Sequence, residues 1–357
     1  MILAGDIGGT NCRLALYQTR ESIYSRKLYK LEKFYIKDFS DNQGWKYAVE
    51  QFLASCGVQN AKQDIEAICL GMAGPVEEYQ GVGRICSLTN VGNPNLWTIS
   101  EHDLREMFDC NEKQAFIIND MEAIAYAIPM LSDSELVELN PSAENKIGNQ
   151  ALIAAGTGLG QLILCWDRMN QTHIPSPTEG GHSSFAVLEE KHWKLKKYLQ
   201  KINVGRSCPD CVSYEQVVSG SGLVKIYQFL CATDKSKANH LDIINAKNQA
   251  AYITETALSN KDETSVEALN IFMDIFGDEA GNLALKYWAV NGIFIGGGIA
   301  PKVWQNGAGK RFFDIFMAAF SKKENGYADK NAMRPVKIIT NEDIGLLGSA
   351  KCAVSYT

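Results

Sequence analysis

The side chain best suited to chemistry is Asp120, in the stretch Ala115-Phe116-Ile117-Ile118-Asn119-Asp120-Met121-Glu122. Ala115 to Ile118 are apolar and read as a short buried strand; good helix formers follow Asp120. In an open α/β sheet, ligands sit in the crevice past the carboxyl ends of the strands. A carboxylate placed there can take a proton from an attacking hydroxyl. Helix capping is the competing use: Asn119 fits an N-cap and Glu122 its N3 partner. Capping explains those two residues and leaves Asp120 without a task.

Glycine turns that could hold phosphate come next. Ile2-Leu3-Ala4 reads as a strand entering Gly5-Asp6-Ile7-Gly8-Gly9-Thr10-Asn11, and a second strand, 13–17, follows at once. In dinucleotide and Walker loops the glycines lead into a helix; here they join a hairpin. Gly8 and Gly9 are expected to supply positive φ and bare N–H groups for phosphate oxygens, and Asp6 could hold a metal ion through water. An ordinary hairpin turn would use the same residues. The pattern recurs in strand 151–155, turn Gly156-Thr157-Gly158-Leu159-Gly160 and strand 161–166. Two such openings suggest a duplicated fold with a cleft between its halves.

Further candidates lie downstream. In Thr178-Glu179-Gly180-Gly181-His182 an acid and an imidazole flank two glycines that let a ligand approach the backbone; an ordinary loop fits the spacing too. Ser213-Tyr214-Glu215-Gln216 reads as a capped helix start presenting Glu215, and Ser219-Gly220-Ser221-Gly222 breaks that helix before another, 223–231. Strand 292–295 runs into Gly296-Gly297-Gly298, with Pro301 suited to a first helical turn. Such a glycine stack can let a flat adenine lie against backbone. Helices are also read over 44–59, 99–107, most of 242–291 and 345–353, with strands over 65–73 and 336–340. Cys208-Pro209-Asp210-Cys211 is a lone CxxC; a zinc site needs two more ligands, so two free thiols in a loop are expected, and no metal-ligating set is read.

The chain has 357 residues, which suggests two domains at about 150 residues each. Its 41 acidic and 35 basic residues give a net charge of −6, which argues against nucleic acid or an anionic membrane as main partner. The basic neighbourhood 194–197 reads as a solvated helix face. No secretory signal is read, because Asp6 interrupts the apolar start. The uncharged run 287–301 is short and holds four glycines, so it does not span a membrane. Ten cysteines scattered in apolar contexts behave as small hydrophobes, and a reduced, cytoplasmic protein is expected.

The ordered set of these stretches, from the turn at 5–11 through Leu88-Thr89-Asn90 to Gly345-Leu346-Leu347-Gly348-Ser349-Ala350, resembles bacterial-type glucokinase within the hexokinase/actin-like ATPase superfamily. It covers nearly the whole chain. The resemblance implies a ribonuclease-H-like duplicated α/β fold, with a small domain of 1–130 plus 341–357 and a large domain of 131–340. It implies transfer of the ATP γ-phosphoryl group to the 6-hydroxyl of glucose, with ATP and Mg²⁺ as cofactors. Asp120 would be the general base, and Asn90, Asn119, Glu179, His182 and Glu215 would bind sugar. Gly5, Asp6, Ile7, Gly8, Gly9, Thr10 and Asn11 would hold phosphates with Mg²⁺, as would Gly156, Thr157 and Gly158; Gly296, Gly297 and Gly298 would lie against adenosine. Partners would be small molecules, with a homodimer as the one protein contact entertained. The segment 90–97 is longer than the family's usual short form, and the cysteine–histidine zinc site of the related repressor–kinase branch is missing.

Overall fold

Two sheets with matching strand order organise the chain, one in each of two compact units, Met1–Ser132 with Asn341–Thr357, and Asp133–Thr340. The structure, a computed structural model, describes residues 1–39, 44–88, 91–112, 114–205, 207–233 and 241–355; Asn90 lies outside them.

In the first unit β1 (Ile2–Ile7), β2 (Asn11–Tyr17) and β3 (Lys30–Tyr35) form an antiparallel meander. β4 (Ala67–Met72) pairs parallel with β1. A small sheet of β5 (Val76–Tyr79), β6 (Gly83–Ser87) and β7 (Thr98–Ser100) then precedes β8 (Ala115–Asn119), which pairs parallel with β4. The main order is β3-β2-β1-β4-β8.

The second unit holds β9 (Leu136–Glu138), β10 (Gln150–Ala155), β11 (Leu159–Asp167), β12 (Thr172–Thr178), β13 (Ile293–Gly296) and β14 (Val336–Ile339), in the order β12-β11-β10-β13-β14-β9. With β9 set aside as an antiparallel edge, the senses repeat those of the first sheet: a three-stranded meander, then two parallel strands. The duplicated α/β fold read from the two glycine hairpins is present.

Burial explains why β1 and β4 read as continuous apolar runs, since strands covered on both faces lose the alternating pattern. Leu3 and Ile7 share a core with Phe52 and Trp97 on one face; Ile2 and Ala4 pack with Ala123, Leu346 and Ala350 on the other. The helix Ile344–Ala353 lies close on the helix Asp120–Ala127 because Gly348 has no Cβ, which would run into Ala123 O. Gly71 of β4 does the same beneath them: a Cβ there would come within 2.8 Å of Ser349 Oγ and 3.0 Å of Ala123 Cβ. The Asp120 helix is thereby clamped at its first turns. In the second unit Phe272, Phe276, Phe312, Phe313, Phe316 and Phe320 fill the core between Glu263–Lys286 and Lys310–Ser321.

The helices read at 44–59 and 99–107 are Trp45–Ser55 and Glu101–Phe108, the latter capped by Ser100 at the end of β7. Residues 242–291 divide into Leu241–Asn245, Gln249–Leu258 and Glu263–Lys286. The first strand extends to Ile7 rather than ending at Ala4, because Gly5 and Asp6 stay paired with β2 and β4.

Candidate active site

Asp120 is the first residue of the helix that leaves β8. The capping box is complete around it: Asn119 Oδ1 accepts from Met121 N at 2.9 Å, and Glu122 accepts from Asn119 N at 2.9 Å. Arg84 Nη1 donates to both oxygens of the buried Glu122, at 3.2 and 3.3 Å. Asn119 Nδ2 donates to Gly74 O at 3.0 Å, so the amide is held from both ends beside Asp120. Asp120 Oδ1 also accepts from Met121 N, at 2.9 Å, and this fixes the carboxylate. Burial pushes the Asp120 carboxyl up to about 6, and the like charge of Asp6 acts in the same direction. A carboxyl raised that far is still ionised at neutral pH and is a stronger base than an ordinary aspartate.

Asp6 lies directly across the hairpin from Arg13. Arg13 Nε donates to Asp6 Oδ2 at 3.1 Å and Nη2 donates to the same oxygen, while Nη1 donates to Asp343 Oδ1 at 2.8 Å and to Glu342 O at 3.2 Å. Arg13 thus takes Oδ2 and not Oδ1. Gly345 makes the space, since a Cβ there would come within 3.2 Å of Asp6 Oδ2. The turn closes with Gly8 N donating to Asn11 O at 2.8 Å. Neither Gly8 nor Gly9 has positive φ, against expectation. The hairpin closes without a left-handed residue, so what the two glycines contribute is backbone without side chains. Among the described residues Asn11 Oδ1 is buried with no hydrogen-bond partner. Arg13 went unread as functional, although its place opposite Asp6 follows from the turn length.

In the second unit three predicted side chains meet. His182 stands between two carboxylates, with Nε2 at 3.7 Å from Glu179 Oε2 and Nδ1 at 4.0 Å from Glu215 Oε1. Their acceptors and donors point to a polyhydroxylated ligand, because each sugar hydroxyl both donates and accepts. Backbone bonds hold the set: His182 N donates to Glu179 O at 3.0 Å, and Glu215 N donates to Gly181 O at 2.9 Å. Leu159 N donates to Glu215 Oε2 at 3.0 Å, and Gly158 leaves room for that carboxylate, since a Cβ would lie 2.5 Å from the same oxygen. The helix read from Ser213 does not form. Ser213 instead makes a β-bridge with Ser184, and only one turn of bonds follows before the helix Gly220–Thr233. The bridge and the burial of Tyr214, Val217 and Val218 override the capping pattern.

The remaining glycines converge beside this set. β10 and β13 run parallel, so the turn after Ala155 and Gly296, Gly297 and Gly298 emerge side by side. Gly297 has φ +82° and is pressed on Ala155 O; an ideal Cβ on Gly156 would lie 4.0 Å from Gly298 N. Gly220 N, at the start of a 14-residue helix, donates to Gly156 O at 2.8 Å. Bare backbone and a helix N-terminus in one place suit an anionic phosphate chain.

Cys208 and Cys211 are disulfide-bonded, which corrects the expectation of two free thiols. A three-residue separation brings the two Cα atoms to 5.3 Å, inside the range a disulfide spans. The eight other cysteines are free. Denatured protein purified without reductant is therefore expected to take up eight alkyl groups, and ten after reduction, by intact mass; ten before reduction would refute the bond. Among the described residues no helix is long and apolar enough to cross a membrane.

The duplicated topology is that of a sugar kinase of the actin-like ATPase fold. The comparisons agree. A glucokinase family profile matches residues 3–356. The glucokinase of Nostoc sp. is 34% identical over 99% of this chain and 98% of the relative, and that of Synechocystis sp. 31% identical over 98% and 97%. The crystal structure of a glucokinase from an Antarctic psychrotroph is 30% identical with a TM-score of 0.75, covering 99% and 98% of the two chains. A glucose complex of Balamuthia mandrillaris glucokinase, 20% identical with a TM-score of 0.77 over 99% and 93%, shares the fold. The chain belongs to the glucokinase family.

Proposed function

We propose that this chain transfers the γ-phosphoryl group of ATP to the 6-hydroxyl of glucose, with Asp120 as general base. The observation that carries the base assignment is the environment of Asp120: a carboxylate at a helix start, desolvated, facing the charge of Asp6, and unnecessary to the cap that Asn119 and Glu122 complete. The 6-hydroxyl is a weak acid, and Asp120 takes its proton as the oxygen attacks phosphorus. Glu179, His182 and Glu215 hold other hydroxyls, with Asn119 beside Asp120 as a further sugar ligand. The turn Gly156, Thr157, Gly158 and the start of the Gly220–Thr233 helix offer N–H groups to phosphate oxygens, with Gly296, Gly297 and Gly298 as the flat surface for adenosine.

Residues of the first unit fit Mg²⁺ as well. Arg13 leaves Asp6 Oδ1 open to a water of a hydrated ion, the mode Mg²⁺ favours. When bound, Mg²⁺ neutralises charge on the phosphates. The same reading places the enzyme in the cytoplasm and retains the homodimer. A coupled assay with glucose, mannose and N-acetylglucosamine tests the substrate: glucose is expected to give the highest kcat/KM. A higher value for another hexose, or ATP hydrolysis indifferent to glucose, would overturn the assignment.

A further inference from the structure

A second cluster of ligating side chains lies in the Asp133–Thr340 unit, and the proposed reaction makes no use of it. Glu189 and His192 stand in a Glu-x-x-His arrangement at the start of the helix Glu190–Ile202, and Asp274 comes from the middle of the helix Glu263–Lys286. One ligand atom of each lies within 4.8 Å of the other two. His192 is 2% exposed, and among the described residues neither of its ring nitrogens has a hydrogen-bond partner. Asp274 Oδ2 is nevertheless only 3.0 Å from His192 Nε2. A carboxylate oxygen that close without forming a hydrogen bond lies off the N–H axis. Two donors bound to one ion about 2.1 Å from each, at a right angle, stand about 3 Å apart. The pair therefore has the separation of neighbouring ligands on a shared ion, with the partly exposed Glu189 able to supply the third.

We propose that Glu189, His192 and Asp274 form a site for a divalent first-row transition ion, tying the first turn of Glu190–Ile202 to Glu263–Lys286. One imidazole and two carboxylates suit such an ion, and the Glu-x-x-His spacing puts both its side chains on one helix face. Two lysines now share the carboxylates. Lys191 Nζ is 3.3 Å from Glu189 and 3.4 Å from Asp274, and Lys322 Nζ is 2.9 Å from Glu189. Both lysine side chains are exposed, Lys322 more than Lys191, and swing away on flexible stems when an ion enters. The lysines compete with the ion, so removing one strengthens binding.

Co²⁺ is the probe, because its visible spectrum distinguishes nitrogen and oxygen ligands from thiolates. Full-length protein without nucleotide is titrated with Co²⁺ and melted with and without it. The expected result is one saturable equivalent with a nitrogen/oxygen spectrum and a raised melting temperature. Glu189→Gln and His192→Gln should each weaken that equivalent at least about tenfold, since even outer-shell partners of metal ligands are worth 10–100-fold. Lys322→Ala should tighten it. Glu189→Gln alters a partly exposed side chain and tests the site even if His192→Gln fails to fold. Wild-type Co²⁺ uptake in Glu189→Gln, or no such equivalent in the wild type, would overturn the site and leave an ion-pair cluster held by lysines.

Discussion

Asp120→Asn is expected to lower turnover by roughly 10²–10⁴-fold, the usual worth of a positioned general base. The amide caps a helix as well as the carboxylate does, and the cap here is already made by Asn119 and Glu122. Folding therefore survives the change. Stability should in fact rise. Burial and Asp6 hold the Asp120 carboxyl at about 6, above its ordinary value of 3.8. A raised carboxyl favours the fold fully below the unfolded pKa, and that contribution is lost as pH climbs through the folded one. At neutral pH the ionised group thus opposes folding, by up to about 3 kcal/mol for a shift of that size. The neutral amide removes this cost, so the variant should melt at or above the wild-type temperature at pH 7, with the difference vanishing below about pH 4. The same raised carboxyl sets the acid limb of wild-type kcat/KM near pH 6, where the base becomes protonated. Steady-state kinetics and melts across pH check all three. Wild-type turnover in Asp120→Asn would return the residue to structure.

The place of Asp120 was legible because local sequence already sets it: an apolar strand, an N-cap pair and one surplus acid. Sheet duplication was legible for a similar reason, since both hairpins announce themselves by glycines between apolar runs. Glu215 was singled out on a local reading that the fold does not keep. A capping pattern at Ser213 suggested a helix, but the backbone there bonds to Ser183, Ser184 and Gly181, partners some thirty residues away that local propensity does not register. Arg13 was read only as part of a strand; its meaning comes from Asp6 across the hairpin and Asp343 at the far end of the chain. β3, with every second residue exposed and the rest only partly covered, carries too weak an alternation to be read. The Cys208–Cys211 bond depends on redox state and loop geometry, and spacing alone specifies neither.

Gly181→Ala tests the proposed sugar ligands more sharply than removing any one of them would. Gly181 is buried in the turn that carries Glu179 and His182. An ideal Cβ there would run into Leu159 O, with Leu159 C at 3.0 Å and Leu159 Cβ at 3.3 Å. The obstacle is backbone at the first residue of β11, so it cannot step aside as the tip of a long side chain can. Either Leu159 or the Gly180–His182 turn must shift, and both positions hold Glu215, through Leu159 N to Oε2 and through Gly181 O to the Glu215 N–H. One added methyl thus displaces Glu179, His182 and Glu215 without altering any of them. Misplacement on the scale of 1 Å costs about 10²-fold, and that is the expected loss in kcat/KM for glucose. Overpacking should add about 1–3 kcal/mol of lost stability. Gly326→Ala in the same unit separates the two effects. Gly326 has φ +76° and no atom within 4 Å of an ideal Cβ, so that change strains backbone and touches nothing. It should cost about 1–2 kcal/mol and leave glucose kinetics alone. The measurement is kcat/KM for glucose at saturating ATP beside thermal melts of both variants. A folded Gly181→Ala enzyme with wild-type kcat/KM would remove Glu179, His182 and Glu215 from the sugar site.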